Sequence, residues 1–323
     1  MNYKPIILVA GEPNSIFFEI LFKVLKTKKI RSPLILIASN KILSLQMKKL
    51  NFKKNIKLLD IKKINDYKLN NSSINLINVS YNQKKAFEKI SDKSNKYIRK
   101  CFEIAIILIK INFSNRLING PISKKNFLKN RFLGITEFFA KKFKKKKIAM
   151  LIYNKDLSVS PVTTHLPLKK VSKTINKKLI TEKVVLIDDF YKTFIGYKPR
   201  IALTGLNPHC ESISNFNEDE KIIKPTVKNL MKRKFRVSGP YPADTIFLEK
   251  NRRKFDVILG MYHDQVLSPI KTLFEYDAIN ITLGLPFVRI SPDHGPNEKM
   301  VGKNLSSPLS LYKAISFLER LKW

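Results

Sequence analysis

The sequence predicts an α/β fold with open, parallel sheets, and two observations lead there. Short apolar runs rich in strand formers alternate with longer helical stretches, most regularly from about residue 148 onward. Three of those runs break into a polar turn that delivers a histidine: Leu157-Ser-Val-Ser-Pro-Val-Thr-Thr-His165, Arg200-Ile-Ala-Leu-Thr-Gly-Leu-Asn-Pro-His209, and Phe255–Leu259 followed by Gly260-Met-Tyr-His263. Ligand crevices of open α/β sheets lie outside the carboxyl ends of the strands. The chain has four histidines, so three at that one address form a pattern.

In chain order, Ile6–Ala10 reads as the first strand and enters a turn at Gly11-Glu-Pro13. Ile16–Leu25 is apolar enough for a buried helix, and Pro33–Ala38 reads as the second strand. Between residues 40 and 100, lysine- and asparagine-rich turns alternate with short strands such as Ile74–Val79. A helix then covers about Lys96–Lys110. Arg116-Leu-Ile118 is a short strand running into Asn119-Gly-Pro-Ile-Ser-Lys124, where Ser123 fits a helix N-cap. The next helix opens at Gly134-Ile-Thr-Glu137, with Thr136 near its cap. Strands at Ile148–Tyr153 and Leu157–Thr163 precede one long helix over about Leu168–Phe194, and the strand at Ile201 follows. After Phe235–Val237 comes Gly239-Pro-Tyr-Pro-Ala-Asp-Thr245, whose Asp244 is placed to cap a helix. Strands at Ala278–Leu283 and Phe287–Ile290 and an amphipathic helix over Leu309–Leu321 complete the chain.

At 323 residues the chain can bury a sizeable core in one large or two medium domains. A hydrophobic content of 44% with clear apolar runs excludes a disordered chain. The formal charge of +37 is extreme, but lysine, asparagine and isoleucine are spread along most of the chain, as AT-rich codon usage would spread them. Such a field attracts anions, phosphorylated metabolites among them, and salt screens it. The densest run, Lys141–Lys147, reads as a solvated helix end, and no specific nucleic-acid partner is expected. Two cysteines, Cys101 and Cys210, are too few for a disulfide framework and imply a reducing compartment. The apolar run at 104–109 is far too short for a membrane span, and Ile6–Ala10 leads to no cleavage site. A soluble, cytoplasmic protein without a membrane partner is expected.

A single histidine in a loop is more often a hydrogen-bonded surface residue. Three imidazoles arriving by the same route instead suit one divalent metal, which makes His165, His209 and His263 the candidate ligands. Asp264 adjoins His263 in its turn, and Asp244 could serve as a supporting carboxylate or a base. Arg289, inside an apolar strand, suits pairing with an anion.

Six motifs carry a resemblance. They are Asn119-Gly-Pro-Ile-Ser-Lys124, Thr163-Thr-His-Leu-Pro-Leu168, Thr204-Gly-Leu-Asn-Pro-His209, Gly239-Pro-Tyr-Pro-Ala-Asp-Thr245, Met261-Tyr-His-Asp-Gln265, and Asn280-Ile-Thr-Leu-Gly-Leu-Pro-Phe-Val-Arg-Ile-Ser-Pro-Asp-His-Gly295. Together, and in order from about residue 5 to 303, they resemble the 4-hydroxythreonine-4-phosphate dehydrogenases of vitamin B6 biosynthesis. The resemblance implies a two-domain fold like that of isocitrate and isopropylmalate dehydrogenases, with the active-site cleft between domains. Residues 1–126 plus 303–323 would form the first domain and 127–302 the second, in a homodimer whose site is shared at the interface. The implied reaction uses NAD or NADP and one divalent metal (Zn, Mg or Co). It oxidises 4-phosphooxy-L-threonine to the 3-keto acid, which loses carbon dioxide to give 3-amino-2-oxopropyl phosphate.

By motif, the resemblance makes His165, His209 and His263 the metal ligands and Thr136, Lys271, Asn280 and Arg289 the substrate contacts. Gly11, Glu12, His294 and Gly295 would meet the cofactor. Asp244, Asp264 and Lys271 remain alternatives for the group that takes the hydroxyl proton. Three places depart from the family's pattern: Ile135 stands where a histidine usually precedes the threonine, Asn14-Ser-Ile-Phe-Phe18 replaces a glycine-rich turn, and Pro296-Asn-Glu-Lys-Met300 replaces small residues and an aspartate. These predict weakened NAD binding and an altered phosphate pocket. Two other readings therefore stand beside the first: a related dehydrogenase for another phosphorylated four-carbon hydroxy acid, and a catalytically degenerate basic binding protein.

Overall fold

The computed structural model describes residues 3–128, 134–211, 216–292 and 295–321. It divides into two compact units, Met1–Ile135 with Pro286–Arg320, and Thr136–Leu285 with Leu321–Trp323.

The first unit holds β1 (Ile6–Val9), α1 (Phe17–Thr27), β2 (Leu34–Ala38), α2 (Asn40–Lys49), β3 (Ile56–Leu58), β4 (Ile74–Asn78), α3 (Asn95–Lys110) and β5 (Arg116–Asn119). From the far end of the chain it takes β12 (Val288–Pro292) and α11 (Leu309–Arg320). Its strands run in the order β3-β4-β2-β1-β5-β12, every neighbouring pair parallel. Strands covered on both faces must be apolar throughout, and Ile6-Ile-Leu-Val9 has no exposed residue. Helix α1 buries Phe17, Phe18, Ile20, Leu21, Phe22 and Val24, and also the carboxylate of Glu19. That carboxylate accepts from Ser306 N at 2.6 Å and Lys23 Nζ at 3.1 Å, which ties α1 to the segment before α11. Cys101 on α3 is fully buried, and burial pushes its thiol up to about 12.

The second unit begins within α4 (Ile135–Lys142). It continues through β6 (Ala149–Tyr153), β7 (Ser158–Pro161), α5 (Val171–Thr174), α6 (Lys177–Phe190), β8 (Ile201–Thr204), α7 (Lys224–Lys232), β9 (Val237–Tyr241), α8 (Ala243–Ile246), α9 (Glu249–Arg252), β10 (Val257–Gly260), α10 (His263–Phe274) and β11 (Ile279–Leu283). The strand order is β11-β6-β7-β10-β8-β9. Its first two pairings are antiparallel and the remaining three parallel. Met150, Ile152, Val159, Ala202, Ile258, Val266 and Ile270 pack into one buried cluster against the sheet.

Three details differ from the sequence reading. The unit boundaries fall at Ile135/Thr136 and Leu285/Pro286 rather than near residues 126 and 302, because β12 bonds in parallel to β5 and α11 packs on β12. The single long helix expected over Leu168–Phe194 is broken at Asn176, whose extended backbone ends one segment and whose side chain accepts from Leu179 N to cap the next. Asp244 is no cap: α8 starts from Pro242, and Asp244 is its second residue.

Candidate functional site

All three expected metal ligands lie just beyond the carboxyl ends of parallel strands in the second unit, His165 after β7, His209 after β8 and His263 after β10. The rings of His165 and His263 stand 5.7 Å apart between centroids, tilted by 39°. Ligand nitrogens at about 2.0–2.1 Å from one tetrahedral ion are about 3.4 Å from each other, so this pair fits two positions of a single cation. Behind His263, Asp264 Oδ1 lies 2.6 Å from Nδ1. A proton on Nδ1 donated to that carboxylate leaves the lone pair on Nε2, the form an imidazole ligand needs.

His209 is placed differently. It is exposed, in a left-handed backbone conformation with φ 55°. Among the described residues no three His, Cys, Asp or Glu side chains are grouped to hold one ion. One chain thus pairs His165 with His263 and leaves His209 outside that pair.

The turns that carry these rings are braced from beneath. Thr163 donates its hydroxyl to Met261 O at 2.7 Å, which links the segment before His165 to the turn before His263. Gln265 Oε1 accepts from Met261 N at 2.7 Å and from Thr204 Oγ1 at 2.8 Å, while Gln265 Nε2 donates to Gly205 O at 2.7 Å. The fully buried Asp219 accepts from Leu206 N, Asn207 N and Asn207 Nδ2 at 2.8, 3.1 and 2.9 Å. Residue 205 must be glycine for this, since a Cβ there would stand 2.7 Å from Asp219 Oδ1. Sequence reading missed both braces. Gln265 closes a quoted motif, but its bonds to residues 204 and 205 are set by sheet order, and nothing local marks Asp219.

Asp244 lies close enough to the His209 loop for its charge to be felt at Cys210. Burial, the charge of Asp219 and that of Asp244 together push this thiol up to about 11. Lys271 is in the last turn of α10, about 12 Å along the axis from His263 at 1.5 Å per residue. The Thr136 and Thr282 hydroxyls are 3.3 Å apart. Asn280 shares a face of β11 with Thr282, and its Oδ1 is buried with no hydrogen-bond partner.

The remaining expected site residues belong to the first unit. Arg289 is 1% exposed, and its Nε donates to Asn119 Oδ1 at 2.7 Å. Gly11 has φ +77°, and a Cβ there would stand 2.3 Å from Pro121 O. Glu12 is 2% exposed, with Oε1 accepting from Asn14 N and Oε2 from Ser94 Oγ. Burial holds its carboxyl above the ordinary range. The turn that follows is filled rather than open: Phe17 and Phe18 are core residues, and Asn14 Oδ1 accepts from Gln83 Nε2 and Glu88 N. Ile16 N donates to Pro296 O at 3.3 Å, next to the exposed Gly295. His294 lies outside the described residues.

The two-unit α/β chain has an isocitrate-dehydrogenase-like fold: the isocitrate dehydrogenase of Methylococcus capsulatus superposes with a TM-score of 0.50 at 8% identity, covering 98% of this chain and 84% of that one. Within it the chain belongs to a named family. The family model described as "Pyridoxal phosphate biosynthetic protein PdxA" matches residues 29–318. A 4-hydroxythreonine-4-phosphate dehydrogenase from Sulfurihydrogenibium sp. (strain YO3AOP1) is 39% identical over 321 residues, covering 98% of this chain and 97% of that one. The D-threonate 4-phosphate dehydrogenase of Salmonella typhimurium is 31% identical over 303 residues, covering 91% and 92%. Among solved structures, the 4-hydroxythreonine-4-phosphate dehydrogenase of Klebsiella pneumoniae superposes with a TM-score of 0.83 at 26% identity, covering 98% of each chain.

Proposed function

We propose that this chain is a cytoplasmic dehydrogenase that oxidises 4-phosphooxy-L-threonine with NAD or NADP, using one divalent metal (Zn, Mg or Co). The 3-keto acid formed loses carbon dioxide to give 3-amino-2-oxopropyl phosphate. The observation that carries the reading is the His165–His263 pair with Asp264 on His263 Nδ1, in a chain of this family. No helix among the described residues is long and apolar enough to cross a membrane.

His165 and His263 would hold the divalent ion, which would supply Lewis acidity to the substrate's oxygen, and a nicotinamide cofactor would supply the hydride acceptor. The protein's part is to bind and orient. Asp264 fixes the tautomer and plane of the His263 ring, so its role is to hold that ligand. The orphaned Oδ1 of Asn280 takes an N–H or O–H donor of the substrate, and Thr136, on α4, adds a hydroxyl that meets Thr282 of the same strand. Lys271 and Arg289 supply fixed positive charge for phosphate or carboxylate. Asp244, whose charge reaches Cys210 beside His209, and Lys271 are the alternatives for the group that takes the hydroxyl proton. The exposure of His209, in a left-handed backbone conformation outside the His165–His263 pair, supports a homodimer in which a second copy completes the ligand set.

The test is absorbance at the nicotinamide band with 4-phosphooxy-threonine, run with and without chelator. Metal-dependent NADH or NADPH production is expected, and turnover that survives full chelation sinks the metal assignment. A second reading, oxidation of D-threonate 4-phosphate, is favoured by Ile135 and by the Salmonella relative. Steady-state rates on the two substrates decide between them. No reduced cofactor with either, together with steeply salt-dependent binding to nucleic acid, marks the degenerate binding protein instead.

A further inference from the structure

Three histidine-bearing turns leave three different strands, and one side chain touches the backbone of two of them and sits one bond from the third. That side chain is Gln265, 9% exposed and the third residue of the helix that His263 opens. Its Oε1 holds Met261 N, two residues before His263, and Thr204 Oγ1 at the end of β8. Its Nε2 holds Gly205 O, where the loop to His209 begins. Met261 is shared, because its carbonyl accepts both the amide and the hydroxyl of Thr163, at 3.2 and 2.7 Å. Three of the four hydrogen bonds a primary amide can make are therefore spent on main chain and hydroxyl at the point where the turns diverge. Beyond Gly205 the brace passes to Asp219, which collects the next two main-chain amides.

We propose that Gln265 is a positioning residue for the metal centre: by fixing the ends of β8 and β10 against each other, it sets where the imidazoles of His263 and His209 stand. The inference rests on the reading of those histidines as ligands. The chemistry requires an amide at this position. An acceptor alone would hold Met261 N and Thr204 but face the carbonyl of Gly205, and a donor alone would do the reverse. Groups that orient ligands from behind are worth about 10–100-fold in metal affinity when removed. Gln265 spends its hydrogen bonds on main chain and a hydroxyl, so its effect should appear in affinity and not in the chemistry of a metal-saturated site.

The test uses the full-length chain and Co²⁺ as the probe, with its visible d–d absorption and binding calorimetry as readouts. Gln265→Leu, and Gln265→Glu, which keeps the acceptors but sets a carboxylate against Gly205 O, should bind Co²⁺ about 10–100-fold more weakly than the parent. Their kcat should return towards the parent's as Co²⁺ is raised. A lesion of structure alone would lower activity at every metal concentration and leave affinity in the folded fraction unchanged. Should Gln265→Leu fail to fold, Thr204→Val removes one of the amide's bonds and Thr204→Ser restores it. Weakened Co²⁺ binding in the first with recovery in the second supports the proposal. Affinity within twofold of the parent in a folded Gln265→Leu, or in Thr204→Val, overturns it. If the parent and His263→Ala take up Co²⁺ alike, the histidine reading itself has failed. If that pair differs and only the Gln265 variants match the parent, the failure belongs to this proposal alone.

Discussion

Two turns in this molecule leave parallel strands through a glycine, and they are put to opposite uses. The turn after β1, Gly11–Phe18, is buried at every residue, and its polar groups are spent on the protein itself. The turn after β8, Gly205–His209, is buried only at its root, where Asp219 and Gln265 hold the main chain, and it is exposed at His209. In the first, polar side chains point inward at one another and phenylalanines fill the space. In the second, the polar side chains are braces that leave the imidazole outside. Delivery from the carboxyl end of a strand is common to both, so what separates a sealing turn from a presenting one is which side of the backbone its polar partners occupy.

The sharpest way to break this contrast is to remove a presented ring. His263→Ala should lower turnover by at least about a thousandfold, in the range of losing an essential electrostatic or metal group, while the far-UV circular dichroism stays that of the parent. Near-parental turnover in that variant would falsify the presenting role of the second unit's turns. A mixing experiment sharpens the same point. If His209 serves a second copy, inactive His209→Ala and His263→Ala proteins, unfolded and refolded together, should recover about a quarter of parental activity, because half the dimers are hybrids with one complete site of two. No recovery places His209 with its own chain's pair.

The sealing turn answers to stability instead. Gly11→Ala forces a side chain into φ +77° and onto Pro121 O. That should cost about 2–4 kcal/mol of unfolding free energy measured by urea denaturation, the sum of left-handed backbone strain and overpacking. Co²⁺ affinity of the folded fraction should not move. A stable Gly11→Ala protein with impaired cofactor binding would mean that the turn presents to a ligand after all.

Much of this was legible in the sequence, and the rest was hidden for identifiable reasons. Apolar periodicity fixed β1, α1, α3 and α11 to within a few residues, because each buries a continuous face. The pairing of His165 with His263 followed from their shared position after strands that turn out to be neighbours, β7 and β10. The break at Asn176 was masked by apolar spacing that continues across it, although asparagine is itself a capping signal. Asn14-Ser-Ile-Phe-Phe18 reads as bulk intruding on a ligand's approach, whereas Asn14 bonds residues 83 and 88, partners no local pattern reveals. Gln265 and Asp219 were opaque for the same reason, since strand order decides what they touch.

The smallest effect expected is the most specific to the sealing turn. Glu12 is buried beside Asn14 and Ser94, and burial raises its pKa above the ordinary 4.5, with a further push from the charge of Glu298. The native state therefore holds this proton more tightly than the unfolded chain does. Its contribution to stability is complete below the unfolded value and is lost as pH rises from there through the native pKa. Glu12→Gln removes that titration. The variant gives up a charge-assisted bond to Ser94, so its absolute stability is a poor guide, and the informative quantity is the slope of unfolding free energy against pH from about 4 to 7. The parent should fall relative to Glu12→Gln across that window. Parallel curves would mean that the carboxylate is as well solvated as in the unfolded chain, and the contrast between a sealed turn and a presenting one would lose its clearest electrostatic mark.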